Sequence, residues 1–273
     1  MYRGSLLSRG LALDNLEQIS ALLSKRPVGL ISDLDGTLSE IVPVPDEARV
    51  SPSMRKTLED LQRSLALVAV VTGRPVRQAQ GIIGLPQITY IGNHGMERFV
   101  KGELSLDEGA LAFAPFLDRL FFNLKTQFTT AGLVFESKGG SFAVHYRLTA
   151  NPEKARDALL DTIQEMAGGQ VRVLMGKTVI NVLPPVDLNK GTAVTSLVAE
   201  SGLSAVLLLG DDVTDVDAFR AARRLSDGGG LSSTSIAVLG EETPPGLLEQ
   251  ADFTLPGVTE VEEFLRWVVE QTM

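Results

Sequence analysis

A buried strand followed by two carboxylates constrains the fold of this chain more than any other segment. Residues 30–38 read Leu-Ile-Ser-Asp-Leu-Asp-Gly-Thr-Leu, and the apolar run before Asp33 predicts a strand over residues 28–32. Alternate residues of an extended segment share one face, so Asp33 and Asp35 can point toward the same site. In open α/β sheets, ligands bind at the carboxyl ends of the strands. The segment therefore predicts an α/β fold with a polar site at the end of this strand.

The two carboxylates also predict a metal ion. Like charges this close need a cation or a shared proton, and Mg²⁺ is the expected partner because it prefers carboxylate oxygens and bridges protein and phosphate groups. Gly36 follows the second carboxylate and lets backbone N–H groups approach a ligand. Asp-Gly also occurs in plain polar turns, so this segment alone leaves a turn without a ligand as the alternative.

Composition narrows the classes of protein and partner. The 273-residue chain carries a net charge of −9, which argues against a nucleic-acid partner held by a basic surface. It contains no cysteine, which excludes disulfides, zinc–thiolate sites and a catalytic thiol and suits a reducing cytoplasm. No apolar run approaches the ~18 residues that a membrane span needs. We therefore expect a cytoplasmic protein without nucleic-acid or membrane partners.

Apolar strands alternate with helices along most of the chain, which predicts an α/β fold: a doubly wound, mostly parallel sheet with helices on both faces. One helix begins with Ser51 as its N-cap and Pro52 at its first position. The predicted strands of this core cover residues 28–32, 67–71, 89–92, 205–209 and 235–238. The predicted helices cover residues 13–23, 51–64, 76–83, 190–201, 214–222 and 258–269.

The pattern changes in the middle of the chain, where the order of elements is αββαββ. We expect a small α+β cap domain at residues 104–184, inserted into a core formed by residues 1–103 and 185–273. Its elements are helices over residues 110–130 and 152–166 and hairpins around Gly139-Gly140 and Gly176-Lys177.

Polar residues also follow other predicted core elements. Thr72 and Gly73 follow a strand and offer a hydroxyl and an open backbone to a phosphate oxygen. Lys190 lies at a predicted helix start, where a cation is unfavourable for the helix dipole unless it has an anionic partner. Asp211 and Asp212 follow another strand. Binding of a metal ion explains two carboxylates at this position better than their favourable effect at the N-terminus of the following helix does. Taken singly, the first two segments are also compatible with a solvated turn or a solvated lysine.

Together these segments resemble, in their order, the motifs of the haloacid dehalogenase superfamily of phosphotransferases. The segment from Asp33 to Thr37 is similar to motif I, Thr72 to motif II, Lys190 to motif III and Gly210-Asp211-Asp212 to motif IV. The resemblance implies a haloacid dehalogenase-like core that uses Mg²⁺. The inserted αββαββ unit resembles the cap of the sugar-phosphate phosphatases in this superfamily.

Shorter segments resemble the trehalose-6-phosphate phosphatases. They are Gly92-Asn93-His94-Gly95-Met96-Glu97, Glu136-Ser137-Lys138, His145-Tyr146-Arg147 and the run from Gly210 to Phe219. In that family the last cap strand carries Glu in a Glu-x-Arg-Pro context, whereas this chain reads Asn181-Val182-Leu183-Pro184. The substrate-binding residues expected on this basis are Gly73, Arg74, Asn93, His94, Glu136, Lys138, His145, Arg147 and Asn181.

The resemblance also implies a two-step mechanism. Asp33 attacks phosphorus and becomes an aspartyl phosphate, while Asp35 protonates the leaving sugar oxygen and then activates water. Thr72 and Lys190 bind the remaining phosphoryl oxygens, and Asp212 and Asp215 orient Lys190 or metal-bound water. The residues expected to hold Mg²⁺ are Asp33, Asp35 through its backbone carbonyl, Asp211 and Asp212.

The function expected from these motifs is hydrolysis of trehalose 6-phosphate, with a small phosphosugar as partner and a sequence compatible with a monomer. A phosphatase acting on sucrose phosphate, a glycosyl-glycerate phosphate or another phosphosugar remains open, as does a phosphomutase. A non-catalytic sugar-phosphate-binding regulator is the third class. The intact motif residues weigh against it, because such a module has no need for the acid–base Asp35.

Overall fold

The computed structural model describes residues 10–42, 44–176, 178–241 and 243–273. The chain divides into two compact units, one of residues up to Leu104 together with Leu188–Met273 and the other of Ser105–Asp187. The strands are β1 (Val28–Ser32), β2 (Leu67–Val71), β3 (Thr89–Gly92), β4 (Glu97–Val100), β5 (Glu103–Leu106), β6 (Val134–Ser137), β7 (Phe142–His145), β8 (Arg172–Gly176), β9 (Val179–Leu183), β10 (Ala205–Gly210), β11 (Ser232–Val238) and β12 (Phe253–Leu255). The α-helices are α1 (Leu16–Leu23), α2 (Pro52–Ser64), α3 (Val76–Ile83), α4 (Glu108–Gln127), α5 (Pro152–Ala167), α6 (Lys190–Glu200), α7 (Asp215–Asp227), α8 (Pro245–Gln250) and α9 (Val258–Thr272). Among these helices, none is both long and apolar enough to cross a membrane.

The core sheet has eight strands in the order β12-β11-β10-β1-β2-β3-β4-β5. β1 lies at its centre and pairs in parallel with β10 on one side and β2 on the other. The parallel pairing continues outward to β12 and to β3, and β4 then pairs antiparallel with β3. The predicted α/β fold with a mostly parallel sheet is confirmed.

Helices cover both faces of the core sheet because successive strand residues point into two different apolar clusters. Leu30 packs in one cluster with residues of α1, α2, α3 and α9. Its neighbour Ile31 packs in the other cluster with residues of α6, α7 and α8. Strands that are buried on both faces read as continuous apolar runs, which is why β1, β2 and β10 were visible in the sequence.

Four short elements have no clear signal in the sequence: β4, β5, β12 and α8. β5 reads Glu-Leu-Ser-Leu and is exposed along its whole length at the edge of the sheet, while β12 spans three residues, too few to show a period. The N-terminal helix also begins later than predicted, at Leu16, because residues 12–14 form a separate 3₁₀ turn. Helix α7 extends to Asp227, five residues beyond the predicted end at 222.

The smaller unit is a four-stranded antiparallel sheet, in the order β6-β7-β9-β8, with helices α4 and α5. One face of this sheet is apolar: Phe142, Val144, Ile180 and Val182 pack with residues of both helices. The αββαββ order of the fold prediction is confirmed. Lys177, at the turn of the second predicted hairpin, lies outside the described residues.

The chain leaves the smaller unit at Asp187, later than the boundary expected at residue 184. Two contacts hold this segment to the unit. The Arg172 guanidinium donates to the carbonyl of Val186, and Gly109 at the start of α4 lies against the Val186 side chain. Residues 184–187 therefore pack with the cap.

Candidate active site

The residues of three predicted motifs follow adjacent strands of the core sheet. Asp33 follows β1, Thr72 follows β2 and Asp211 follows β10, and β1 pairs in parallel with both neighbours. Their backbones extend the ladder, since the Asp33 N–H donates to Leu209 at 2.9 Å and the Thr72 N–H donates to Ile91 at 2.9 Å. Parallel strands end at the same edge of a sheet, so the fold brings these three residues to one edge.

Lys190 reaches this edge from the first position of α6. The helix start is fixed by a capping box, in which the Asn189 side chain accepts from the Thr192 N–H and the Thr192 hydroxyl accepts from the Asn189 N–H. The Lys190 side chain is only 3% exposed, and its Nζ lies 2.8 Å from Asp33 Oδ2 and 2.8 Å from Asp215 Oδ1. The anionic partners expected from its unfavourable helix position are therefore these two carboxylates.

Asp33, Asp211 and Asp215 form a buried carboxylate group, with one oxygen from each lying within 4.8 Å of the others. Burial raises the pKa of Asp33 to about 8, and the charge of Asp215 adds to the effect while Lys190 opposes it. Burial lowers the pKa of Lys190, but the two carboxylates more than compensate and raise it above its usual range. Closely spaced carboxylate oxygens with excess negative charge are the donor set that a hard divalent cation prefers.

Asp33 and Asp211 are both predicted metal residues and members of this group, and the position of the Asp35 side chain leaves open the predicted binding through its backbone carbonyl. The Asp35 and Asp212 side chains lie outside the group, and Asp215 lies within it. The Asp35 carboxylate is turned toward Arg74, and the Asp212 carboxylate accepts from the Val213 N–H at 2.7 Å. Asp215, the first residue of α7, packs so closely against the backbone of Gly210 that a Cβ there would lie 2.3 Å from its carboxyl carbon.

The buried carboxylate group requires a glycine at position 36. The φ of Gly36 is +78°, and a Cβ added to it would lie 2.1 Å from Oδ2 of Asp211. A side chain at this position would therefore be strained and would also displace the Asp211 carboxylate.

We expect Gly36→Ala to weaken binding of a divalent cation by at least about tenfold, because Asp211 must move (about 1.4 kcal/mol per tenfold). Gly102→Ala is the matched control, since Gly102 has a φ of +89° but no atom within 4 Å of the added Cβ. The measurement is the metal concentration that gives half-maximal binding. Equal values for the two variants would contradict the role assigned to Gly36.

Asp35 is bound at both oxygens by Arg74. Arg74 Nε donates to Oδ2 at 2.7 Å and Nη2 donates to Oδ1 at 2.7 Å, while Nη1 donates to the carbonyl of Pro45 at 2.9 Å. Arg74 and Gly73 were expected to bind substrate. In this structure the Arg74 guanidinium contacts Asp35, the expected acid–base residue, and the Gly73 backbone lies against the His94 ring.

A left-handed turn follows β3 and contacts the residues after β2. Asn93, His94 and Gly95 all have positive φ, at 50°, 57° and 104°. The Asn93 N–H donates to the carbonyl of Arg74 at 2.8 Å, and the His94 N–H donates to the carbonyl of Thr72 at 3.2 Å. Strained backbone of this kind persists only where its surroundings fix it, and it is frequent at functional sites.

Glu97 supports this left-handed turn, a role that no sequence pattern predicts. It is 9% exposed and accepts from the Val76 N–H at 2.7 Å and from the Asn93 side-chain amide at 3.3 Å. The Glu97 carboxylate, which comes from β4, thereby caps the N–H of the first residue of α3 and supports the left-handed turn. A helix cap contributed by a residue from elsewhere in the chain leaves no local sequence pattern. The signal available for Glu97 was its place at the end of the segment Gly92–Glu97.

The polar cap residues lie on the face of the smaller sheet opposite its apolar cluster. Glu136 Oε2 lies 3.0 Å from His145 Nε2, and Lys138 Nζ donates to Asn181 Oδ1 at 3.2 Å. Glu136, Ala143 and Asn181 stand in register on three neighbouring strands. Arg147 lies beyond the end of β7, is exposed and donates to the Thr178 hydroxyl at 2.9 Å. The structure thus brings four of the five predicted cap residues together in two polar pairs.

Residues 31–243 match the sequence model of the family described as Trehalose-phosphatase. The chain belongs to this family. It is 30% identical over 95% of its length to probable trehalose-phosphate phosphatase 4 of Oryza sativa subsp. japonica, of which it covers 70%. It is also 30% identical over 95% of its length to the trehalose-phosphate phosphatase of Mycobacterium leprae, of which it covers 61%.

A solved structure shares the fold. The C-terminal domain of C. albicans trehalose-6-phosphate phosphatase superposes with a TM-score of 0.78 at 21% identity, covering 96% of this chain and 98% of that one. The trehalose-phosphatase match begins in β1 and ends beyond β11, so it contains the buried carboxylate group, Lys190 and the whole smaller unit.

Proposed function

We propose that this chain is a phosphoric monoester hydrolase that converts trehalose 6-phosphate into trehalose and inorganic phosphate. The observation that carries the proposal is the buried Asp33 carboxylate, held by Lys190 at the carboxyl edge of the core sheet, in a member of the trehalose-phosphatase family. The expected substrate comes from the relatives, which are named trehalose-phosphate phosphatases.

Asp33 is the proposed nucleophile. One of its carboxylate oxygens forms a bond to phosphorus while the bond between phosphorus and the sugar oxygen breaks, and the product is an aspartyl phosphate. The ammonium group of Lys190, 2.8 Å from this carboxylate, offsets the negative charge of the transferring phosphoryl group. The Thr72 hydroxyl, at the end of the neighbouring strand, is a further donor for the phosphoryl oxygens.

Asp35 is the proposed acid and base. In the first step it gives a proton to the departing sugar oxygen. In the second step it takes a proton from the water that attacks phosphorus, and the bond between phosphorus and Asp33 breaks. Proton transfer by a positioned side chain contributes ~10²–10⁴-fold to the rate of such steps.

We propose that the carboxylate group holds Mg²⁺, with Asp33 and Asp211 as ligands and Asp215 beside them. Two of the three buried carboxylates, those of Asp33 and Asp215, contact Lys190, and a divalent cation would offset the negative charge of the group further. A bound Mg²⁺ supplies neutralisation of the charge shared by the carboxylates and the phosphoryl group.

Release of inorganic phosphate by the purified chain tests this function. The substrates are trehalose 6-phosphate, sucrose 6-phosphate, a glucosylglycerate phosphate and glucose 6-phosphate, each measured with Mg²⁺ and with excess EDTA. We expect the highest kcat/KM for trehalose 6-phosphate and loss of activity in EDTA. No release from any substrate would refute the hydrolase, and a clear preference for another sugar would refute only the substrate.

A phosphatase of a different phosphosugar is the second candidate, and Asn181 is the observation that favours it. Asn181 is only 8% exposed and is paired with Lys138 on the polar face of the cap sheet. A neutral amide both donates and accepts hydrogen bonds, whereas the carboxylate that the family carries at this position only accepts. The sugar hydroxyls that fit this position can therefore differ from those of trehalose.

We expect Glu136→Ala and Lys138→Ala to reduce kcat/KM for trehalose 6-phosphate by roughly 10–150-fold, the range that corresponds to a hydrogen bond to a charged group of ~1.5–3 kcal/mol. Turnover of p-nitrophenyl phosphate should fall far less, because this ester has no sugar hydroxyls. Asn181→Glu should lower KM for trehalose 6-phosphate. Lys154→Ala, an exposed lysine at the start of α5, is the control. Equal losses on the sugar and the small ester would rule out a sugar-binding role for the cap pair.

A further inference from the structure

The guanidinium of Arg74 is bound to the carboxylate of Asp35 at two points, and this pair suggests a role for Arg74. We propose that Arg74 is a positioning residue that holds the Asp35 carboxylate in place for both proton transfers, and that it does not bind the phosphoryl group. The inference rests on the proposed function, since the position of Asp35 matters only if the chain hydrolyses a phosphate ester.

The contacts of the Arg74 head group favour a role within the protein. Each of its three nitrogens donates to a protein acceptor: two to Asp35 at 2.7 Å and one to the Pro45 carbonyl at 2.9 Å. The Arg74 side chain is 11% exposed, whereas that of Asp35 is 34% exposed. Three of the five guanidinium N–H groups are thus engaged by protein acceptors, and the carboxylate that Arg74 holds is more accessible than the Arg74 side chain itself.

The backbone of Arg74 is fixed as firmly as its head group. Its N–H donates to the Thr72 hydroxyl at 3.2 Å, and its carbonyl accepts from the Asn93 N–H at 2.8 Å. Asn93 belongs to the left-handed turn that Glu97 supports from β4. The guanidinium therefore extends from a backbone held on both sides, as a rigid support for a second residue requires.

The Asp35 carboxylate needs the support of Arg74 because a cation would bind close to it. Asp35 lies two residues from Asp33, and Asp33 belongs to the carboxylate group at which a cation would bind. A loose carboxylate there would turn toward the cation and be lost for proton transfer. A two-point pair with a planar guanidinium fixes both the position and the plane of a carboxylate, which a single ammonium charge does not do.

Single-turnover kinetics with p-nitrophenyl phosphate and excess enzyme test the proposal, because release of nitrophenolate reports the first step and release of phosphate reports the second. Nitrophenolate leaves without a proton, so we expect its release by Arg74→Ala to stay within about threefold of the parent. Phosphate release needs Asp35 as base and should fall by at least about tenfold, within the ~10²–10⁴-fold that acid–base catalysis contributes. Arg74→Lys should resemble Arg74→Ala, because it lacks the two-point geometry.

Two further variants complete the test. Arg77→Ala removes an exposed arginine of α3 and should leave both steps unchanged. Adding Arg74→Ala to Asp35→Asn should slow phosphate release little beyond Asp35→Asn alone, because both changes act through one group. Equal slowing of the two steps by Arg74→Ala, or full additivity with Asp35→Asn, would overturn the positioning role. The proposed function itself would fail separately, if the parent chain released no phosphate from sugar phosphates.

Discussion

Asp33→Asn is expected to abolish phosphate release, with a loss of more than about 10⁴-fold in kcat, because the amide cannot form the aspartyl phosphate (loss of a nucleophile commonly reaches this scale). The fold should survive, since an asparagine oxygen can still accept from Lys190, which lies 2.8 Å from the Asp33 carboxylate. The measurement is phosphate release at saturating Mg²⁺, with circular dichroism to confirm the fold. Activity near that of the parent would exclude Asp33 as the nucleophile.

The Asp33→Asn substitution should also change how the stability of the metal-free protein depends on pH. The folded-state pKa of Asp33 is raised from 3.8 to about 8, so the folded protein binds more protons than the unfolded chain between these values. Stability of the metal-free protein should therefore fall as the pH rises through this window. Asp33→Asn removes the group and should flatten the decline, measured as Tm against pH in EDTA. A variant Tm that falls as steeply as that of the parent would contradict the burial of this charge.

Lys190→Met is expected to destabilise the protein by ~3–5 kcal/mol and to remove activity, because breaking a buried ion pair leaves carboxylates without their cation. Lys190 is 3% exposed and lies between Asp33 and Asp215, which are 8% and 3% exposed. The measurement is the denaturant midpoint in EDTA at constant pH.

Lys56→Met is the matched control. Lys56 lies 2.6 Å from Asp60, a shorter distance than either ion pair of Lys190, but its side chain is 59% exposed. Exposed pairs contribute ~0–1 kcal/mol, so this change should be nearly neutral. Similar losses for the two lysines would show that burial does not set the strength of the Lys190 pairs.

The strand ends of the site were predictable because they depend on local patterns. β1, β2 and β10 are apolar runs buried on both faces, and each is followed by a polar motif residue: Asp33, Thr72 or Asp211. Parallel topology then brings these residues to one edge. The packing of strand residues into two clusters likewise follows from the alternation of side chains along a strand.

The partners of these residues were less predictable, because they come from distant parts of the chain. Asp215 suits the start of a helix as a single residue, and its place in the carboxylate group depends on its close packing against Gly210 and its ion pair with Lys190. Arg74 and Asp35 are 39 residues apart, and nothing near either of them indicates a two-point pair. Side-chain contacts of this kind depend on rotamers and on strand register, which the sequence pattern does not encode.

The most direct test of the account is to trap the phosphorylated protein. p-Nitrophenyl phosphate labelled in its phosphate, whose leaving group departs without a proton, is mixed with the Mg²⁺-loaded Asp35→Asn variant, the reaction is quenched in acid, and the labelled peptide is identified by mass spectrometry. We predict a hydroxylamine-sensitive label on Asp33, in larger amount than in the unmodified chain, because Asp35 is needed to release it. Release of phosphate from p-nitrophenyl phosphate by the unmodified chain, with no label on Asp33 in either protein, would contradict the proposed mechanism.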